Sequence, residues 1–165
     1  MNLPPYTTFP TLVNDKIALR QIVTSDLSDL IEISFYDAKP AKTVAQAAEV
    51  HDRINEDYST GNSIHWGIID TKTQKIVGTC GYYRGFVNSA GELGCVLLPQ
   101  YQGRGFMTAA LLLAIDFGIK TIGIQRIWAA TDRDNAPAIR LLERLGFVKT
   151  AQAGEEVEYV LGYKS

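Results

Sequence analysis

The sequence predicts an α+β fold in a single domain spanning residues 1–165, and three observations carry that prediction. Short apolar segments, alternating or continuous, recur between turn signals from Ile17 to the C-terminus. Two longer segments, one after Thr43 and one from Phe106, repeat apolar residues at helical spacing. A strand, helix, strand, helix unit lies late in the chain, and no internal repeat, low-complexity block or linker divides the sequence. At 165 residues, with 46% apolar and 21% charged side chains, the chain has enough core-forming residues for one domain and too regular a composition for collagen or disorder.

The elements follow in order. Residues 1–14 carry Pro4, Pro5 and Pro10 and read as a loose arm. Ile17 and Leu19 begin a strand. Ser25 is a suitable N-cap for a helix carrying Leu27, Leu30 and Ile31, and a second helix runs from about Thr43 through Tyr58. After Gly61 and Asn62, residues 65–69 and 75–83 read as two strands joined by a turn at 71–74. Residues 92–98 are almost continuously apolar, as in a central strand covered on both faces, and Pro99 ends them. A helix carries Phe106, Ala110, Leu113 and Phe117 on one side and stops at Gly123. Residues 125–131 form a strand, Pro137 opens a short helix ending at Gly146, and strands at Phe147-Val148 and residues 155–163 finish the chain, with Val157, Tyr159, Leu161 and Tyr163 on one face.

Several function classes fall away. The longest apolar run, Ala109 to Ile115, is far shorter than a bilayer span of about 20 residues, and Met1-Asn2-Leu3-Pro4-Pro5 has no export-signal pattern. No membrane association and a cytoplasmic location are therefore expected. Cys80 and Cys95 lie in apolar segments and read as reduced core thiols. With only His51 and His65 besides, no metal-ligand spacing exists. His51, His65, Trp66 and Trp128 read as packing or surface residues. The net charge of -2 argues against a polyanion partner such as nucleic acid. Locally the charge divides: residues 99–149 hold seven basic and four acidic side chains, net +3, while residues 22–70 hold nine acidic and three basic ones, net -6. An anionic ligand suits the first region and a cationic one the second.

The most informative segment joins an apolar strand to a helix through Gln102, Gly103, Arg104, Gly105 and Phe106. Glycines let successive amide N–H groups converge, and the helix N-terminus adds partial positive charge, so such a turn can hold a phosphate or diphosphate. A P-loop would need Lys-Ser/Thr after Gly105, where Phe106 and Met107 stand. A Rossmann fingerprint would need a small residue where Thr108 stands.

Gln102-x-x-Gly105 after an apolar strand, Asn135-x-x-Ala138 about thirty residues later, and Leu141-Leu142-Glu143-Arg144-Leu145-Gly146-Phe147 together resemble the GNAT superfamily of acyl-CoA-dependent N-acetyltransferases. With Glu92-Leu93-Gly94, residues 101–108 and Arg140 added, the pattern is similar to the RimJ/RimL branch, the ribosomal-protein N-terminal acetyltransferases. The likeness spans about residues 15–163, and Gly78 sits where the family's third strand has a glycine.

That resemblance implies a twisted mixed sheet of about seven strands with helices on both faces, in which the fourth and fifth strands splay apart. It implies acetyl-CoA as acyl donor, its pantetheine paired with backbone of Val96 and Leu98, a backbone N–H near Val96 or Leu97 for the oxyanion, and its diphosphate on the amides of Gly103, Arg104, Gly105, Phe106 and Met107. Gln102 and Thr108 belong to the same motif, and Asn135 matches a cofactor-side asparagine that reads equally as a helix cap. Glu92, a carboxylate entering an apolar strand, is the expected catalytic base. The implied acceptor is a primary amine, first of all a protein or peptide N-terminus. Polyamines, amino acids and aminoglycoside-like amines are the alternatives, as is a noncatalytic acyl-CoA sensor. The expected assembly is a monomer or homodimer. Two departures stand out: Leu142 replaces the family's tyrosine acid and Ala138 a serine used by some members, which leaves Tyr82, Tyr83, Tyr101 or water to supply the proton.

Overall fold

The computed structural model describes residues 1–36 and 38–162. Its elements in chain order are β1 (Leu12–Val13), β2 (Ile17–Arg20), 3-10 turns at Thr24–Asp29 and Ile31–Ile33, β3 (Phe35–Tyr36), β4 (Lys39–Pro40) and α1 (Val44–Ser59). Then come β5 (Ile64–Asp70), β6 (Ile76–Tyr83), β7 (Ala90–Leu97), α2 (Phe106–Phe117), β8 (Arg126–Asp132), α3 (Ala136–Arg144), β9 (Phe147–Ala153) and β10 (Glu156–Leu161). Among the described residues eight strands make one sheet in the order β1-β2-β5-β6-β7-β8-β10-β9, in keeping with the expected sheet of about seven, and β3 pairs with β4 in a separate ribbon. Every pair in the large sheet is antiparallel except β7 with β8, which α2 connects as a crossover.

Strand alternation distributes the helices between the two faces. On β5, His65 meets His51 of α1 while its neighbour Trp66 meets Phe117 of α2, with ring centroids 5.7 and 5.2 Å apart. The main core lies on the α2 side, where Trp66, Tyr82, Ile17, Leu19 and Ile127 are fully buried. Tyr82 fixes α2 on it by donating its hydroxyl to Ala114 O at 2.7 Å. A smaller cluster of Leu27, Ala47, Val50 and Ile54 holds α1 to the turns before it. Thr43 caps α1 by accepting from Gln46 N. Gly123, at φ 84°, ends the π turn Gly118–Ile122 that extends α2.

Three expectations change. The segment after Ser25 makes two 3-10 turns rather than a helix, because the Asp26 carboxylate accepts from Val23 N and is held by Arg20, which fixes a tight local turn. The arm at 1–14 is strapped down rather than loose: Asn2 N donates to Ile122 O, Tyr6 N to the Tyr58 hydroxyl, Trp66 Nε1 to Pro10 O, and Leu12 and Val13 pair with β2. β9 runs through Ala153, well beyond Val148; it is an edge strand exposed after Phe147, so no apolar alternation marks it. Tyr163, expected to extend the face of Val157, Tyr159 and Leu161, lies outside the described residues.

Candidate active site

Among the described residues β7 and β8 pair only at Ala90 with Arg126, Gly91 with Ile127 and Glu92 with Trp128. β7 stays paired with β6 as far as Leu97 opposite Gly78, so beyond Glu92 the two parallel strands diverge. The gap encloses a cavity of about 120 Å³. Leu93, Gly94 and Cys95 line it from β7, Ala130 and Thr131 from β8, Met107 and Leu111 from α2, and Asn135, Ala138, Leu141 and Leu142 from the start and body of α3.

Strand geometry decides which backbone groups face this gap. Leu98 N donates to Val77 O at 2.9 Å, and Val96 O lies 2.3 Å from where a Cβ on Gly78 would sit, so the backbone polar groups of Val96 and the amide of Leu98 face β6. By alternation, the groups facing the gap belong to Leu93, Cys95 and Leu97. Val96 and Leu98, expected to pair with a cofactor through backbone, thus have those groups turned into the sheet, while Leu97 has its N–H on the open side.

The glycine turn lies at the N-terminus of α2. Gly103 and Gly105 adopt φ of 73° and 82°, left-handed values that suit residues without Cβ. Gly105 is the N-cap and supplies no side chain, so the amides of Phe106, Met107 and Thr108 open α2 without a side-chain cap. Gln102 precedes them in extended conformation. The Arg104 guanidinium sits 5.2 Å from the Phe106 ring and 5.7 Å from the Tyr101 ring, and Lys16 Nζ lies 5.0 Å from the Phe106 ring. Two cations and the helix dipole therefore converge on one turn.

Glu92 is 8% exposed, on the α1 face of β7. Arg84 Nε donates to Oε2 at 2.7 Å and its second nitrogen donates to Oε1, so both carboxylate oxygens accept from one guanidinium. Arg84 is itself 72% exposed in its side chain and stands in the left-handed region at φ 58°, one residue past β6.

Asn135 caps α3 and stands at the edge of the cavity. Its Oδ1 accepts from Ala138 N at 3.3 Å. Leu142 and Ala138 present only hydrocarbon to the cavity. Cys95 does line it, directly opposite Cys80, and neither thiol is in a disulfide. The hydrogen bond with Cys80 and burial hold the Cys95 thiol well above its ordinary value, so it is no thiolate nucleophile.

The three tyrosines separate. Tyr82 points to α2, Tyr101 packs at the turn, and Tyr83 lies on the Glu92 face with its hydroxyl 2.8 Å from His65 Nδ1. Burial pushes His65 down to about 3 and Tyr83 well up, so both are neutral near pH 7. Sequence reasoning missed Arg84, Lys16 and the His65–Tyr83 pair. Arg84 and Glu92 flank a hairpin whose register brings them together, and that register was a usable signal; Lys16 reaches the turn across the fold and left none. A larger hollow of about 320 Å³ between β4 and α1, bordered by Lys39, Lys42, Glu49 and Arg53, shares no residue with the cleft.

Comparison with known proteins fits this geometry. A family model described as "Acetyltransferase (GNAT) domain" matches residues 16–148. An N-acetyltransferase of Bacillus subtilis, YoaA, itself uncharacterized, is 27% identical over 149 residues, covering 86% of this chain and 84% of its own. The structure of a ribosomal-protein-S5-alanine acetyltransferase from Vibrio fischeri superposes with a TM-score of 0.75 at 23% identity, over 92% of this chain and 95% of that one. A mutant form of spermidine N-acetyltransferase from Vibrio cholerae gives 0.76 at 17% identity, over 90% and 94%. At such identities the two structures establish the shared fold.

Proposed function

The chain belongs to the GNAT acetyltransferase family, and from that premise we propose that it transfers acetyl from acetyl-CoA to a primary amine by direct attack, with a protein or peptide N-terminus as acceptor. One observation carries the reading: β7 and β8 part immediately beyond the buried carboxylate of Glu92, and the uncapped end of α2 borders the same opening. The residues fit the donor. The amides of residues 103–108 and the charges of Arg104 and Lys16 suit a diphosphate, and the apolar walls of the gap suit a pantetheine arm.

Acetyl-CoA supplies an activated acetyl thioester. The amine nitrogen forms a bond to the acetyl carbon as the carbon–sulfur bond breaks, and the nitrogen gives up one proton. Glu92 takes that proton, through a water or after Arg84 swings out, because both its oxygens already accept from Arg84. The Leu97 N–H, on the open side of β7, is the donor for the carbonyl oxygen. The departing sulfur takes its proton from water, since Leu142 and Ala138 offer none. No enzyme nucleophile enters, in keeping with the protonated Cys95.

An α-amine has a pKa of about 7.7–8.0 against ~10.4 for lysine, so an N-terminus asks less of a carboxylate already occupied by a guanidinium. A polyamine is the second reading, favoured by the net charge of -6 over residues 22–70, which include α1. The test measures CoA release and product mass with free N-terminal peptides, lysine peptides and spermidine. Acetylated peptide α-amines support the first reading and acetylated spermidine the second. Tight acetyl-CoA binding with no product from any amine would make the protein a sensor instead.

A further inference from the structure

The α1 face of the sheet carries a run of polar side chains that acetyl transfer as described leaves unused. Tyr83 Oη lies 2.8 Å from His65 Nδ1, the His65 ring packs on that of His51, and His51 Nε2 lies 3.2 Å from Ser34 Oγ. Ser34 in turn donates to Leu30 O at 2.6 Å. These residues come from β6, β5, α1 and the turn before β3, so their alignment is a property of the fold.

The run has a direction. Ser34 spends its one proton on Leu30 O, so its oxygen accepts and His51 Nε2 donates. Between a neutral phenol and a neutral imidazole the phenol is the stronger acid, so Tyr83 donates to His65 Nδ1 and His65 carries its proton on Nε2. Tyr83 Oη then has lone pairs to offer. Its Cα partner across the strands is Glu92, and its ring lies over Gly94, where an added Cβ would come within 2.8 Å of it. Tyr83 and His65 are both partly exposed. The charged and titratable groups around them are Glu92 with Arg84, Cys80 and Cys95 beside Tyr83, and Asp26 and Asp52 beside His51.

We propose that Tyr83, held by His65, orients the acceptor amine, its Oη accepting one N–H while the other N–H is the one deprotonated toward Glu92. This rests on the acetyl-transfer reading. A neutral primary amine has two N–H groups and serves both residues while its lone pair attacks. A secondary amine has one and cannot. Tyr83 thus sets a preference for primary over N-methylated amines, and His65 is a positioning residue.

The experiment compares an accepted primary amine with its N-methyl analogue in wild type, Tyr83→Phe, His65→Leu and His65→Asn. Tyr83→Phe keeps the ring over Gly94 and removes the hydroxyl. The loss of one net hydrogen bond predicts an amine KM about three- to tenfold higher, an unchanged acetyl-CoA KM and a reduced primary-amine preference. His65→Leu reproduces this, and His65→Asn, which keeps an acceptor near the Nδ1 position, restores part of it. Independently of any acceptor, nitrogen-15 spectra of wild type should show His65 as the neutral Nε2–H tautomer from about pH 5 to 8. An Nδ1-protonated His65, or an unchanged amine KM and preference in Tyr83→Phe, overturns the proposal while acetyl transfer stands. A wild type that acetylates no amine overturns both.

Discussion

At Gly105 the backbone conformation matters more than the space around it. A Cβ there would meet only the flexible end of Lys16, 3.4 Å away, but φ 82° is strained for any side chain and most of all for a β-branched one. Gly105→Val should raise the acetyl-CoA KM strongly and cost about 1–2 kcal/mol, whereas Gly105→Asn, which tolerates the left-handed region, should retain most of the affinity. Titration of acetyl-CoA against both folded variants checks this; equal affinities for wild type and valine would remove the turn from the site. Glu92→Gln should lower turnover by about 10²-fold with acetyl-CoA binding kept. Undiminished turnover at every pH would leave the carboxylate a structural partner of Arg84. At this scale the sequence was readable where chemistry is local. Glu92 is visible as an acid in an apolar strand and the glycines as a turn, but the guanidinium on Glu92 depends on hairpin register, and Lys16 comes from 89 residues before Gly105.

Elements were legible in proportion to how much of their stability is encoded locally. α1 begins where Thr43 supplies a side-chain cap, and β5, β6 and β7 are apolar enough to mark themselves. The segment after Ser25 has the same apolar spacing as a helix, yet the Asp26 side chain captures Val23 N and Arg20 and turns the chain tightly. α3 offers the sharpest test, because Asn135 both caps it and touches the cavity. Asn135→Ala should cost about 1 kcal/mol in urea unfolding, and Asn135→Asp, which caps equally well, should recover it. Weakened acetyl-CoA binding that aspartate also restores would mean the residue acts through the helix; binding lost in both variants would mean the amide itself touches the donor.

Across the whole molecule, one parallel pair in an otherwise antiparallel sheet creates the cleft, and the strand, helix, strand order at its centre made that pair foreseeable. Less foreseeable was the placing of two histidines between α1 and the sheet, His51 buried and His65 partly exposed, since isolated histidines carry no spacing. That placing ties stability to pH. His65 has a pKa of about 3 when folded and an ordinary value of 6.5, so between those values the unfolded chain binds a proton that the folded one does not. Stability is then complete above about pH 6.5 and falls as the pH drops, by at most ~1.4 kcal/mol per pH unit for this group. His51, lowered by burial, acts in the same sense. At Asp26 burial pulls upward, but Arg20 and Val23 N outweigh it and hold the carboxyl below 3.8, so its loss belongs to more acidic solutions. Urea midpoints measured from pH 7 to 4 should therefore decline less steeply in His65→Asn than in wild type, even where the variant is less stable at pH 7. Parallel curves for the two proteins would mean that His65 takes up a proton in the folded state as readily as in the unfolded one.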